Sequence, residues 1–392
     1  MGRGLIAVRG VACGCLAASL LACSPRATPP SAPPPNDSQN LVEPNRTAVH
    51  AASQPERAQE PAPASEGTPD PAPEPPAAAL RVGAHAGPGP LYDVGTLPSE
   101  LHVQWPSPPF IAREQQVASV DAFDKAAAMS GTRVVVTASL SDKAVIKGSD
   151  IEVTMRDGVE IKRVNIDHGC KRIRIKGGKY GSIFFVLPAE FAPARKARPD
   201  WIIEDVIIDG IQANAPETAL EVYGKRIAIL RSKVHAHLYS VWSGPVEGIR
   251  SEDIVVAGNH MDSDGPEATV RLVSVVRSVT VDNVLRNTFK HNYRIHGDTD
   301  YAYAARNTLI NTGAMFGTMD EDHIKKLWFD DNTFFQTAPD LFNPGCSRIG
   351  YMHAEGNKAY TDRHGCFLCP HKPTGWRVDH NALLPYRKPP GN

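Results

Sequence analysis

An excess of charge of either sign is missing from this chain: 42 lysines and arginines face 43 aspartates and glutamates, for a net charge of −1. Such a balance carries no electrostatic footprint for nucleic acid, so nothing points to a nucleic-acid partner and none is expected. Long apolar runs are missing too beyond the N-terminus, and no later segment can cross a bilayer as a helix. Cysteine is sparse, with 7 residues in 392. Cys13, Cys15 and Cys23 fall in the N-terminal segment, which leaves Cys170, Cys346, Cys366 and Cys369 for the rest.

What the chain does have is a six-residue pattern, apolar-x-x-Asn-x-apolar, in its last third. It reads Val256-Ala-Gly-Asn259-His-Met261, Val284-Leu-Arg-Asn287-Thr-Phe289, Ala304-Ala-Arg-Asn307-Thr-Leu309, Phe329-Asp-Asp-Asn332-Thr-Phe334, Ala354-Glu-Gly-Asn357-Lys-Ala359 and Val378-Asp-His-Asn381-Ala-Leu383. The asparagines recur every 20 to 28 residues, a solenoid period in which each repeat is one turn of chain. Asn suits a tight bend because it tolerates left-handed backbone angles, and stacked amides can satisfy one another. Ser232 and Gly178 hold the same slot upstream, and Val206–Ala213 keeps alternating apolar residues with a turn glycine.

From about residue 134 to the C-terminus this pattern resembles the right-handed parallel β-helix of the pectate-lyase-like superfamily. The resemblance implies an all-β, single-stranded solenoid of roughly ten rungs, with Asn ladders at one corner. Ser119–Met129 has helical spacing with Ser119 as N-cap, and a helix there covers the open apolar end of the coil. Folds of this kind host lyases, hydrolases, adhesins and inert scaffolds, so activity must be argued from the site.

Arg3 and Arg9 precede an apolar stretch that ends in Leu20-Leu21-Ala22-Cys23, the arrangement of a signal peptide. It is similar to a bacterial lipoprotein signal, which implies removal of residues 1–22, lipidation of Cys23 and anchoring to a membrane. Ser24 after it resembles outer-membrane sorting, so the expected location is the bacterial cell envelope. Residues 23–96 are rich in Pro, Ala, Glu and Ser, cannot bury enough apolar surface to fold, and read as a disordered tether. The solenoid then occupies 97–392, and a monomer is expected.

The cluster His364-Gly-Cys366-Phe-Leu-Cys369-Pro-His371 admits three readings: a disulfide, a zinc site or a thiol redox pair. Outside the cytoplasm a disulfide is favoured, with Cys346 joined to Cys366 or Cys369 about one turn away.

Side chains on a parallel coil alternate in and out, so outward residues of successive rungs line up about 4.8 Å apart and suit an extended polymer. If Leu220, Val222, Val270, Leu272, Tyr293 and Ile295 face inward, then Glu221, Tyr223, Arg271, Arg294 and His296 face outward together. Trp242 is either a platform for a sugar ring or a core residue. Arg271 and Arg294 present guanidinium forks at the spacing of carboxylates on a uronate polymer. His296 adds a proton-transfer group to the same side. These parts suffice for β-elimination: an arginine neutralises the carboxylate, a base takes the neighbouring proton, and an acid protonates the leaving oxygen.

The stretch from Val276-Arg277-Ser278 to Arg294-Ile-His296-Gly297 resembles the alginate lyase and chondroitinase B family, which carries Lys-Ser and then Arg-His-Gly one rung later. The resemblance implies a catalytic set of Arg277, Arg294 and His296, with Arg277 in place of the lysine base and Ile295 inserted before His296. Substrate contacts then fall to Arg271, Glu221, Tyr223 and Trp242. The rival reading is a non-catalytic surface module that binds glycan or serves as a scaffold. Asp262-Ser-Asp264, Asp298-Thr-Asp300 and Asp320-Glu-Asp322 offer carboxylates to calcium without a recognised loop spacing, so no cofactor or metal is assigned.

Overall fold

A computed structural model describes residues 89–188, 198–244, 250–319, 321–336, 342–345, 347–361 and 374–389. Its strands pair in parallel throughout, and the chain coils as an all-β solenoid. Twelve strands, from Arg113–Val117 to Arg377–Asp379, form one continuous wall. The remaining strands form the other side. Up to Lys179–Val186 each turn supplies one long strand to it. That strand pairs at its start with Gln212–Ala215 and further along, at Ile183 and Phe184, with Thr218–Glu221, so later turns carry two short strands there and the coil becomes three-sided.

The inward residues are those expected from alternation: Leu220, Val270, Leu272, Tyr293 and Ile295 all lie in one core with Val134, Ile173, Ile227 and Leu327. The expected capping helix spans Val120–Ala127. Ser119 Oγ accepts the Ala122 N–H at 3.3 Å, and Phe123, Ala126 and Ala127 seal the end of the core. Capping of this kind protects the first rung from water.

The asparagine ladder is present, with one change of member. Asn259, Asn283, Asn307, Asn332, Asn357 and Asn381 stack rung on rung, each Nδ2 donating to the next Oδ1 at 2.8–3.0 Å. Asn283, in Thr280-Val-Asp-Asn283-Val-Leu285, takes the place expected for Asn287. Asn287 is also buried, but it turns the next corner, accepting the N–H groups of Phe289 and Lys290. The left-handed residue is the one before each ladder Asn, as at Asp282 (φ 57°), Arg306 (φ 56°) and Asp331 (φ 53°). The asparagines therefore serve the ladder through their amides, and a neighbour makes the bend.

The segment Pro90–Trp105 lies on the outside of the twelve-stranded wall. There Leu101 and Val94 are buried against Leu230, Val255, Ala257, Val279, Val281 and Tyr303, forming a second core. Ordered packing thus begins before residue 97. Polar ties hold the strap along its length: Arg306 donates to the Val94 carbonyl, Lys326 pairs with Glu100, and the Ser107 N–H donates to Asp205.

Of the cysteines, Cys170 is a free, buried thiol. Cys23, Cys346, Cys366 and Cys369 lie outside the described residues, as does the whole expected signal and nearly all of the tether.

Candidate functional site

Strand register places one row of outward side chains across the three-sided part of the coil. Phe184 pairs with Glu221, Glu221 with Trp242, Trp242 with Arg271, and Arg271 with Arg294. Trp242 is half-buried on this outer side, and its ring stacks on Tyr239 at 5.5 Å between centroids. Glu221 is half-buried with no hydrogen-bond partner among the described residues, and burial raises its carboxyl above the ordinary value.

Arg271 is the hub. Its Nε–H donates to His296 Nε2 at 2.8 Å and its Nη1 donates to Tyr239 Oη at 2.6 Å. Glu267 Oε2 lies 3.6 Å from Nη1, an ion pair longer than a hydrogen bond. Burial, partly opposed by the Arg271 charge, raises the Tyr239 hydroxyl. His296 is 6% exposed and Asp322 is 0% exposed, and His296 Nδ1 sits 3.5 Å from Asp322 Oδ1. Burial first, then the charges of Arg271 and Arg294, hold the imidazole below its ordinary value against the pull of Asp322. Gly297 follows with φ 73°; a Cβ there would run into the Ser274 hydroxyl, so only glycine lets the chain turn away from His296.

Arg294 is in a different condition. It is 7% exposed, and among the described residues its Nε has no hydrogen-bond partner and its Nη2 reaches only the Met319 sulfur at 3.2 Å. No carboxylate pairs with it among the described residues. Burial and the neighbouring Arg271 push its guanidinium below the ordinary arginine value. His291, on the same strand, is lowered to about 4 by burial and by Arg294 and Lys290.

Two expected members of the site are elsewhere. Arg277 begins the strand Arg277–Val281 in the twelve-stranded wall, where it grips Asp253 with two hydrogen bonds of 2.6 and 2.9 Å. It repeats the pairs Arg172–Asp150 and Arg226–Asp205 at the same corner. That pairing raises its guanidinium further, so Arg277 is a structural cation and no base. The catalytic set Arg277, Arg294 and His296 is therefore not assembled. Tyr223, expected outward, is 4% exposed and packs edge-on against Phe185. The strand ends at Glu221, so alternation does not extend to residue 223.

Tyr239, Glu267, His291 and Asp322 join the site without having been anticipated. Tyr239 starts the Trp242 strand, and Asp322 belongs to an acidic loop considered only for calcium. Among the described residues no group of metal-ligating side chains converges. Asp264 bonds His237, and Asp300 pairs with Arg250.

Fold and site together define a parallel β-solenoid with an arginine-centred, largely desolvated polar cluster on one outer face. No protein-family profile matches the chain, and no curated protein matches it. Among solved structures, an alginate lyase from Paenibacillus sp. str. FPU-7 is similar with a TM-score of 0.48 and 12% identity, over 69% of this chain and 99% of that one. A likeness of that size transfers neither residues nor activity.

Proposed function

We propose that the protein binds an acidic, uronate-containing polysaccharide across Trp242, Arg271 and Arg294, and that it does so in the cell envelope from a lipid anchor at Cys23. The observation that carries the binding reading is Arg294: a guanidinium almost wholly removed from water, with no salt-bridge partner among the described residues and only longer-range attraction from Glu267 and Asp322, one strand from a second guanidinium. Burying an unpaired charge costs several kcal/mol, and an incoming carboxylate supplies the missing partner. Outward neighbours on paired strands sit about 4.8 Å apart, which lets both forks address one acidic chain. Trp242, braced by Tyr239, offers the apolar face of a sugar ring a flat surface. The anchor reading rests on Leu20-Leu21-Ala22-Cys23 alone.

The test is calorimetric titration with alginate, pectate, chondroitin sulfate and hyaluronan, with dextran as the uncharged control. Binding to an acidic polymer that is lost in Arg271→Ala supports the reading. Equal binding to dextran, or none to any acidic polymer by a folded sample, sinks it.

A second reading, cleavage by β-elimination, is favoured by the hydroxyl of Tyr239 and the imidazole of His296 both touching Arg271. The arginine would neutralise the uronate carboxylate while one of these groups takes the C5 proton. The electron pair then forms the C4–C5 double bond, the C4–O bond breaks, and the leaving oxygen receives a proton. Ultraviolet absorbance of the unsaturated product decides it: a rise marks a lyase, and binding without a rise leaves a non-catalytic glycan-binding surface protein.

A further inference from the structure

We infer that Asp322 is a positioning residue for Arg271, acting through His296, and that the guanidinium is held in its binding orientation only while His296 is neutral. This rests on Arg271 as a carboxylate-binding group, as proposed above.

The geometry is a chain of three contacts. The Asp322 carboxylate accepts the Gly297 N–H at 2.6 Å through Oδ1 and the Met319 N–H at 2.8 Å through Oδ2. It thereby ties the loop after Ala314–Phe316 to the end of the strand His291–His296, and its own position is fixed by backbone. His296 Nδ1 faces that carboxylate at 3.5 Å. A neutral imidazole has one N–H; placed on Nδ1 it leaves Nε2 as an acceptor, and Nε2 is the atom that receives the Arg271 Nε–H at 2.8 Å. With Nη1 also held by Tyr239 and facing Glu267, the plane of the guanidinium is set, and among the described residues its Nη2 has no hydrogen-bond partner and can meet a ligand. A charged imidazole carries N–H on both nitrogens, so it loses the acceptor and puts a cation against Arg271.

The surroundings favour the neutral form. Around His296 stand Arg271 on the paired strand, Arg294 on its own strand, and Asp322 from the loop; Tyr239, Glu267 and His291 complete the charged and titratable cluster. Two guanidinium groups and burial oppose protonation, and one carboxylate favours it. Asp322 is itself fully buried; burial alone would raise its carboxyl, but hydrogen bonds from His296 and the two amides bring it below the ordinary value.

The experiment uses the full chain with oligogalacturonate as probe. Affinity is measured by calorimetry across the acid-to-neutral range, beside the imidazole nitrogen shifts of His296 by NMR. Wild type should show an Nδ1–H tautomer and an affinity that falls on acidification. Asp322→Asn should mix the tautomers and weaken binding about tenfold. His296→Ala should weaken binding to a similar extent, while His296→Gln, which keeps an acceptor for Nε–H, recovers part of the loss and flattens the pH dependence. If Asp322→Asn does not fold, the two His296 variants decide. Unchanged affinity and pH profile in His296→Ala overturns the inference, as does an Nε2–H tautomer in wild type. A wild type that binds no acidic oligomer overturns the proposed function instead, and the tautomer measurement still reads the positioning chain.

Discussion

Arg271 and Arg294 occupy directly paired positions on neighbouring parallel strands, point to the same outer side, and differ in one respect: Arg271 has hydrogen bonds to Tyr239 and His296 and an ion pair with Glu267, whereas among the described residues the guanidinium of Arg294 bonds only a sulfur atom. Like charges side by side on a sheet are unfavourable, and an unpaired buried one is more so. A ligand of opposite charge would relieve that cost, which is the relationship the proposed function rests on.

Replacing Arg294 by Met should therefore separate stability from binding. Methionine fills most of the same volume without a charge, so the variant is expected to be about 1 to 2 kcal/mol more stable than wild type in urea unfolding. The same variant should lose affinity for acidic polysaccharide by tenfold or more. A destabilised Arg294→Met would mean that the guanidinium is matched by a partner within the fold.

Tyr239 gives a sharper chemical test. Tyr239→Phe keeps the ring stacked on Trp242 but removes the hydroxyl at Arg271. If the site eliminates uronate with Tyr239 moving a proton, the rate of unsaturated-product formation should drop about 100-fold while the affinity changes far less. Parallel losses in rate and affinity would limit Tyr239 to holding Arg271.

Much of this was legible in the sequence because a coil repeats its physics on every turn. The period pointed to a solenoid, Ser119 to the cap, and alternation put Arg271 and Arg294 in one row. The ladder frame slipped at one rung: Asn283 is preceded by Thr280 rather than an apolar residue, while Asn287, four residues on, sits in the expected spacing by accident of the next corner. Alternation holds only within a strand, which is why it predicts Tyr223 outside whereas the residue, beyond the strand end at Glu221, lies inside. Tyr239 and Asp322 reach the site from a strand start and a loop, positions that no periodicity predicts. Arg277 lies near Arg294 in sequence but on another wall of the coil, a separation that local similarity does not register.

Acid should destabilise the fold through the histidines of the site. His291 is lowered from 6.5 to about 4, and His296 is lowered as well, so both are neutral in the folded chain. As pH falls below 6.5 the unfolded chain takes up protons first, so the stability contributed by the neutral rings is complete above that value and is lost toward about pH 4. Asp322, held below its ordinary 3.8, keeps its contribution until pH falls lower still. Urea midpoints measured across this window should decline for wild type and decline less for His291→Gln; identical slopes would place the proton uptake elsewhere.

The ladder should be most sensitive in its middle. Asn307 donates to the Thr280 carbonyl and to Asn332, and accepts from the amide and backbone of Asn283. Asn307→Ala strands those groups in a dry column and is expected to cost about 3 kcal/mol. Asn381, partly exposed at the end of the stack, should cost about 1 kcal/mol by the same change. Equal losses at both positions would show that the bends, and not the amide column, set the stability.

The strap over the twelve-stranded wall makes the last prediction. Leu230, Val255, Val279 and Val281 point away from the main core and stay dry only because Val94, Leu101 and their neighbours cover them. Leu101→Ala, at a site with no exposure to spare, should cost about 3 kcal/mol. Removing residues 89–105 altogether uncovers a contiguous apolar face, which drives self-association in water. Size-exclusion chromatography of chains beginning at residue 89 and at residue 106 compares the two: the first should run as a single small species and the second should associate or precipitate. A well-behaved, equally stable shorter chain would show that the strap adds nothing the wall does not already hold.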